Sequence, residues 1–266
     1  MCARYTLTTE EKELIKQGNY TLDGPYVADP NVAVTDIGYV VTSEEPSVVQ
    51  RMFWGIDKSF ASFNIRSEDI MDTPNFKKLL DARNFCIIFA DGFYESEELT
   101  KDDKRPWRFI TERKIFAFLG LWTEVPNEVG ELERRYAIFT CKANKTVGQI
   151  HPYDRMPVIL HKADEDFVLH KKPTIEQFLA LCVPYPDRLM NRYRVSKQVL
   201  PVSTKEKWNK SMELLNEVPD EPRTGNLFGD AMPPADVSKR SYKNTAKKKP
   251  KKNDPPPPPL DLFNSR

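Results

Sequence analysis

The chain has 266 residues, of which 39% are hydrophobic and 11% aromatic, enough to form the core of one large domain or two small ones. Its formal net charge of +1 excludes a protein that binds nucleic acid through bulk positive charge, so a DNA contact would need a local basic groove. No run of about 18 apolar residues occurs, and the sequence therefore predicts no transmembrane helix.

The cysteines and histidines indicate the compartment and the kind of chemistry. The four cysteines are far apart and form no CxxC pair, and the stretch from Arg4 to Lys16 is polar and charged, unlike a secretory signal. Both features favour a reducing compartment over a disulfide framework. The three histidines make no metal-binding spacing with cysteines or acids. We expect a cytoplasmic protein in a bacterium, or a nuclear one in a eukaryote, with no metal and no cofactor.

Short apolar runs rich in β-branched and aromatic residues alternate with a few helix-like stretches. Strands are predicted at 85–90, 107–110, 115–122, 136–141, 157–161 and 192–199. Helices are predicted at 9–17, with Thr8 and Thr9 as its caps, and at 75–83, 164–170, 174–182 and 205–216. Many short strands without βαβ alternation indicate an α+β domain built on a curved, barrel-like β-sheet with peripheral helices.

The composition changes near the C-terminus. Residues 233–266 carry nine Lys or Arg against three Asp, and they include the run Lys247–Lys252 and five consecutive prolines, Pro255–Pro259. Such a segment has too few apolar groups to form a core. We predict a single catalytic domain over 1–220 and a disordered basic, proline-rich tail over 221–266.

A cysteine stands directly behind the initiator methionine, and removal of Met1 would leave Cys2 with a free aminothiol. Its amine and thiol, with ordinary pKa values of about 8 and about 8.5, are both available near neutral pH. An aldehyde can form an imine with the amine and then be trapped by the sulfur as a thiazolidine. Small residues commonly follow an initiator methionine, so the alternative is that Cys2 is an ordinary residue at this position without a catalytic role.

Six short blocks of sequence contain specific residue combinations that the hydrophobic patterns of strands and helices do not require. They are MCARY at 1–5, NIRSE at 64–68, FADGFYE at 89–95, FLGLWTE at 118–124, FTCKAN at 139–144 and IHPYDRMPVI at 150–159. In this order they resemble the SOS response-associated peptidase (SRAP) family, whose members process abasic sites in DNA. The resemblance runs from residue 1 to about residue 205.

The resemblance implies a barrel-like fold and a monomer that senses abasic sites in single-stranded DNA and shields them covalently. The opened abasic sugar presents an aldehyde, which the Cys2 aminothiol captures as a thiazolidine crosslink. Self-removal of Met1 and a weak abasic-site lyase activity are also implied by the family.

The matched blocks supply candidate catalytic residues beside Cys2. Glu95 is expected to shuttle protons during imine formation, Asn64 to hydrogen-bond the amine or a sugar oxygen, and His151 to protonate the opening sugar ring. The alternatives are a solvated acid, a turn cap and a structural histidine, and His161 is a second candidate for the acid.

The DNA contacts implied by the blocks are local. Arg4, Arg66 and Arg155 could bind phosphates, although each could equally form an internal ion pair. Thr140 could hydrogen-bond the DNA backbone or be an ordinary strand residue. Trp54 could stack on a base beside the lesion, with a core aromatic as the alternative.

The chain departs from the family pattern at two positions near these residues. Where the family usually has Trp after the Glu95 equivalent, this chain has Ser96. The histidine usually stands close before Arg-Met-Pro, whereas here Pro152, Tyr153 and Asp154 separate His151 from that motif. These changes affect the expected DNA surface more than the reacting group.

A separate hypothesis concerns a short apolar motif at the C-terminal end of the chain. Leu260, Leu262 and Phe263 resemble the apolar end of the short peptide by which bacterial repair proteins dock on the replication sliding clamp. Pro259 occupies the position of the usual leading Gln, and a chain end without a partner is the alternative.

Two other functions remain open from the sequence. One is an N-terminal-nucleophile cysteine amidohydrolase, in which Cys2 attacks an amide with its own amine as base. The other is a noncovalent single-stranded-DNA or clamp adaptor, in which Cys2 is incidental.

Overall fold

The fold comes from a computed structural model that describes residues 2–57, 62–100, 103–200 and 209–219. The strands are β1 (Arg4–Leu7), β2 (Thr21–Leu22), β3 (Asp29–Ala33), β4 (Ile37–Thr42), β5 (Val48–Trp54), β6 (Asn64–Arg66), β7 (Phe85–Ala90), β8 (Gly92–Glu98), β9 (Lys104–Thr111), β10 (Phe116–Pro126), β11 (Leu132–Lys142), β12 (Arg155–Pro157), β13 (Ile159–Leu160) and β14 (Met190–Arg194). The α-helices are α1 (Glu11–Ile15), α2 (Pro74–Asp81), α3 (Lys145–Gly148), α4 (Lys162–His170) and α5 (Ile175–Leu179).

Five strands close into a barrel. The order is β5-β4-β7-β10-β11, and β11 then pairs in parallel with β5 through Arg135 opposite Phe53 and Tyr136 opposite Trp54. Strand β7 (FCIIFA) is buried along its whole length. A continuous apolar run of this kind is typical of a strand covered on both faces.

A second sheet, with strand order β14-β9-β8-β1-β3, packs against the barrel. Phe93 of β8 stacks on Phe109 of β9 with ring centroids 5.1 Å apart, and it also meets the edge of Phe118 on barrel strand β10. Since β1 begins two residues after Cys2 and pairs with β8, this sheet brings the chain start close to residues of β8.

A buried aromatic cluster joins β1 to the barrel strands β5 and β11. The hydroxyls of Tyr5 and Tyr136 hydrogen-bond at 2.6 Å, and the buried Trp54 ring lies parallel to Tyr136 with centroids 6.2 Å apart. Gly38 lies against both hydroxyls, and a Cβ at this position would clash with them. The close approach of the tyrosines to the backbone therefore requires glycine here.

The predicted α+β fold with a barrel-like sheet and few helices is confirmed. The strand predicted at 192–199 is only partly right, because β14 ends at Arg194 and a 3₁₀ turn occupies 197–199. The helix predicted at 205–216 is wrong over its described part, where Met212–Leu215 form a 3₁₀ turn; residues 201–208 lie outside the described ranges.

The predicted capping by Thr8 and Thr9 is also wrong. Helix α1 begins at Glu11, and its N-cap is Glu10. The two threonine hydroxyls instead donate to the Asp91 carboxylate.

None of the helices within the described ranges is long and apolar enough to cross a membrane. Residues 220–266 lie outside those ranges, so the tail over 221–266 stays a prediction.

Candidate active site

Cys2 and Asn64 are joined by a short hydrogen bond. Cys2 is 1% exposed, and the Asn64 side chain, at the first position of β6, donates from Nδ2 to the Cys2 carbonyl at 2.6 Å. The Cys2 thiol lies 3.4 Å from the Arg4 carbonyl and donates to it. Asn64 therefore fixes the backbone of the residue that carries the thiol. The expected contact of Asn64 with an amine or sugar oxygen is untested.

Glu95 and His151 form a buried pair. Glu95, on β8, is 7% exposed, and its Oε2 lies 3.2 Å from Nε2 of His151, which follows α3. The other ring nitrogen, Nδ1, accepts from the Arg155 backbone N–H at 3.4 Å. Because Nδ1 is an acceptor, the neutral ring carries its proton on Nε2, the nitrogen that faces Glu95.

Burial sets the protonation of these groups. It raises the pKa of the Cys2 thiol well above its ordinary value, and the charge of Glu95 adds to that effect. Burial raises the pKa of Glu95 to about 7 and lowers the pKa of His151 to about 3. Near neutral pH the resting site thus holds a protonated thiol, a neutral imidazole and a carboxyl group poised between its two forms.

A further acid, which the sequence analysis did not single out, anchors the start of the chain. The Asp91 carboxylate accepts hydrogen bonds from the Thr6 hydroxyl and from the backbone N–H and hydroxyl of both Thr8 and Thr9. It also pairs with Arg108 at 3.0 Å. The sequence signal for it is the Asp inside FADGFYE together with the three threonines at positions 6, 8 and 9.

Arg155 and Thr140 lie inside the protein. The Arg155 guanidinium pairs with Glu68 and donates to the Thr140 carbonyl at 2.7 Å. Thr140 is fully buried, and its hydroxyl donates to the Ile65 carbonyl at 3.2 Å. The DNA contacts expected of Arg155 and Thr140 do not fit this placement, because their polar groups already contact protein atoms.

Trp54 is likewise a core residue. It is fully buried, and its indole N–H donates to the Phe63 carbonyl at 2.9 Å. A base cannot stack on a ring with no exposed face, so the expected base-stacking role is wrong for this conformation. The alternative, a core aromatic, is right.

Arg4 and Arg66 differ from Arg155. Arg66 is exposed on β6, two residues from Asn64, and its guanidinium lies 3.6 Å from the carboxylate of the exposed Asp69. Such exposed pairs are weak. Arg4 is half-buried, and burial lowers its pKa to about 10. Its charge is close enough to favour the ionised forms of Cys2 and Glu95.

His161 lies elsewhere. It is the N-cap of α4, and its ring packs on Tyr185 with centroids 4.8 Å apart. His151 is therefore the histidine that contacts Glu95. In the described part of the chain, no group of three or more His, Cys, Asp and Glu side chains is placed to hold a metal ion.

The model of one family, described as SOS response associated peptidase (SRAP), matches residues 1–202. This chain belongs to the SRAP family. The abasic site processing protein YoqW of Bacillus subtilis (strain 168) is 32% identical over 213 residues, which cover 75% of this chain and 94% of YoqW. The abasic site processing protein HMCES of Gallus gallus is 25% identical over 189 residues, covering 57% of this chain and 54% of HMCES.

The SRAP fold is also found in solved structures. A crystal structure of a protein from Bacteroides thetaiotaomicron has a TM-score of 0.71 at 18% identity and covers 82% of this chain and all of that one. One from Bordetella bronchiseptica has a TM-score of 0.64 at 20% identity, covering 73% of this chain and all of that one. At these identities the likeness concerns the fold.

Proposed function

We propose that this protein captures abasic sites in single-stranded DNA as a covalent thiazolidine crosslink through Cys2. The observation that carries the proposal is the position of Cys2, held by Asn64 at the start of β1. The charge of Glu95 acts on the Cys2 thiol, and Glu95 in turn contacts His151. The relatives named abasic site processing proteins support the same substrate.

The order of bond formation follows from protonation. Once Met1 is removed, the Cys2 amine attacks the aldehyde carbon of the opened sugar, and loss of one water gives an imine. The thiol then adds to the imine carbon, forming the C–S bond, while its proton passes to the nitrogen. In this order the amine is the first nucleophile and the sulfur the second, which agrees with a thiol that burial keeps protonated while Met1 is still in place.

Glu95 is suited to moving the protons in these steps. A carboxyl group whose pKa is about 7 can accept a proton and return it at neutral pH. Since its pKa of about 3 keeps the His151 ring neutral, it can protonate the sugar ring oxygen only after it has taken up a proton from Glu95, whose Oε2 lies 3.2 Å from Nε2. Release of Met1 by the chain itself and a weak lyase activity through the same imine belong to this proposal.

Mass spectrometry of the N-terminal peptide tests the proposal. After incubation with single-stranded DNA carrying one abasic site and nuclease digestion, the peptide should begin at Cys2 and carry the sugar remnant less one water. Borohydride should leave that mass unchanged, because a thiazolidine lacks the reducible C=N bond of an imine. An adduct that gains two hydrogens on reduction contradicts sulfur trapping, and an unmodified peptide contradicts capture.

The same protein also tests the two alternative functions, an amidohydrolase and a noncovalent DNA adaptor. An amidohydrolase would form an acyl-enzyme on Cys2 with small amides. A noncovalent adaptor would bind DNA equally well with Cys2→Ala and would form no adduct in either case.

A further inference from the structure

One aromatic ring next to the candidate active site stands out by its exposure. Tyr153 is 46% exposed, whereas every other Phe, Tyr and Trp in the described ranges is buried or half-buried. Aromatic rings carry large apolar surfaces that are normally covered, and an exposed one beside a reactive site is available to a ligand.

Tyr153 lies directly beside the catalytic pair. Its ring meets the edge of the His151 ring, with centroids 5.5 Å apart and planes at 61°. His151 in turn contacts Glu95 at 3.2 Å. A group resting on the exposed face of Tyr153 would therefore be a neighbour of the reacting atoms.

The local backbone holds the ring in place. Asp154 donates from its N–H to the His151 carbonyl at 3.2 Å and accepts from the Ala143 N–H at 2.9 Å. Its φ of 51° lies in the left-handed region, which makes a tight turn. Tyr153 thus sits at the tip of a hydrogen-bonded turn formed by the three residues that separate His151 from Arg155.

The two positions at which the family pattern suggests an aromatic ring for base stacking do not present one on the surface. Trp54 is fully buried, and the position after Glu95 is Ser96. A cation is close by: the Lys142 side chain is 80% exposed, and its Nζ lies 4.0 Å from the exposed carboxylate of Asp154. Such an exposed pair is weak and is readily exchanged for a phosphate.

We infer that Tyr153 is the stacking platform for the nucleobase next to the abasic site. The inference rests on the proposed function, since it takes single-stranded DNA as the ligand. A base beside a missing base has one uncovered face, and an exposed aromatic ring covers it whatever the base, because every base has a π-face. Aromatic stacking beside a cation is a common arrangement in proteins that bind single strands.

The test uses the full chain and a single-stranded oligonucleotide with a central tetrahydrofuran residue, an abasic analogue that cannot open to an aldehyde. 2-Aminopurine, whose fluorescence is quenched by stacking, is placed on the 5′ side in one oligonucleotide and on the 3′ side in another. Wild-type protein and Tyr153→Phe should change the quenching on one of the two sides. Tyr153→Ala should lose that change and bind about fivefold or more weakly.

A third oligonucleotide, with tetrahydrofuran at both neighbouring positions as well, isolates the stacking contribution. Wild type and Tyr153→Ala should bind it equally. Val129→Ala, at the exposed tip of the β10–β11 hairpin, is the control for loss of an exposed apolar group and should match wild type throughout.

Four results would each overturn the inference. Tyr153→Ala could quench 2-aminopurine as wild type does, or it could weaken binding to the third oligonucleotide as much as to the first two. Tyr153→Phe could behave like Tyr153→Ala, or the wild-type protein could fail to bind any of the oligonucleotides. Crosslinking to a true abasic site is measured separately. Quenching without crosslinks would leave the stacking platform standing and contradict only the proposed function.

Discussion

At the scale of single residues, burial accounts for the chemistry of the site. Removing Glu95 and His151 from water favours the neutral form of each, so the pKa of the acid rises and that of the base falls. The Cys2 thiol is held protonated by the same effect. A thiol held protonated is a poor nucleophile, so the proposed capture needs a step that takes up its proton.

The buried Glu95 makes stability depend on pH. Its pKa rises from the ordinary 4.5 to about 7 on folding, so its contribution is fully present below 4.5 and is lost as pH rises toward 7. Glu95→Gln, which stays neutral at every pH and has nearly the same size, should increase the free energy of unfolding above about pH 7, by up to about 3 kcal/mol, and change it little below about pH 4.5. Urea unfolding at both pH values measures this.

Glu44→Gln, at an exposed position, is the matched control and should have no effect at either pH. A Glu95→Gln effect of the same size at both pH values would contradict the raised pKa.

Asn64 should affect capture more than stability. Asn64→Ala removes the 2.6 Å hydrogen bond that fixes the Cys2 carbonyl. We expect the rate of crosslinking to fall about tenfold, which corresponds to about 1.4 kcal/mol of lost positioning. The rate of band formation on a denaturing gel measures it. Asn84→Ala, which removes a similar bond to the Trp122 carbonyl, is the control. Equal losses in the two variants would contradict a positioning role.

At the scale of elements, the sequence predicts the strands that are continuous apolar runs, such as β7 and β10, because both faces of a barrel strand are covered. It does not predict β1 and β8, whose pairing depends on contacts between distant parts of the chain. Cys2, Asn64, Glu95 and His151, which the family blocks single out, lie near one another in the structure, and their catalytic roles stay predictions. The family blocks do not distinguish Trp54, a core ring, from a surface ring, since burial is a tertiary property.

The anchoring of β1 by Asp91 gives a prediction at this scale. Asp91→Ala removes the acceptor for Thr6, Thr8 and Thr9 and leaves the buried Arg108 without its carboxylate. Loss of one partner of a buried ion pair costs about 3–5 kcal/mol, so the free energy of unfolding should fall by about that amount. Urea denaturation measures it.

Asp81→Ala, which breaks only the exposed pair with Lys77, should change the free energy of unfolding by less than about 1 kcal/mol. If Asp91→Ala were as mild as this control, the network around Asp91 would not anchor the strand.

At the scale of the whole molecule, the barrel and the second sheet together bring the start of the chain to residues from β6, β8 and the turn after α3. All four candidate catalytic residues lie within the family-matched segment 1–202. The tail over 221–266 carries a separate prediction. A chain ending at residue 220 should crosslink abasic DNA at the full-length rate.

The hypothesis of clamp binding is tested on the full chain. Leu262→Ala with Phe263→Ala should lose the pull-down of the replication sliding clamp while crosslinking stays unchanged. Clamp binding that persists in the double variant would contradict the peptide hypothesis.

The central claim is that Cys2 captures the abasic aldehyde. Purified protein is mixed with single-stranded DNA carrying one abasic site and run on a denaturing gel beside Cys2→Ala and Cys2→Ser. Without borohydride, the account predicts a shifted band that survives denaturation for wild type and is absent for both variants. Cys2→Ala and Cys2→Ser keep the amine but lack the thiol, so either can form only an imine, and a band from either should appear only after borohydride reduction. An equally strong band with Cys2→Ala, or no band from wild-type protein whose Met1 is absent by mass, would contradict the account.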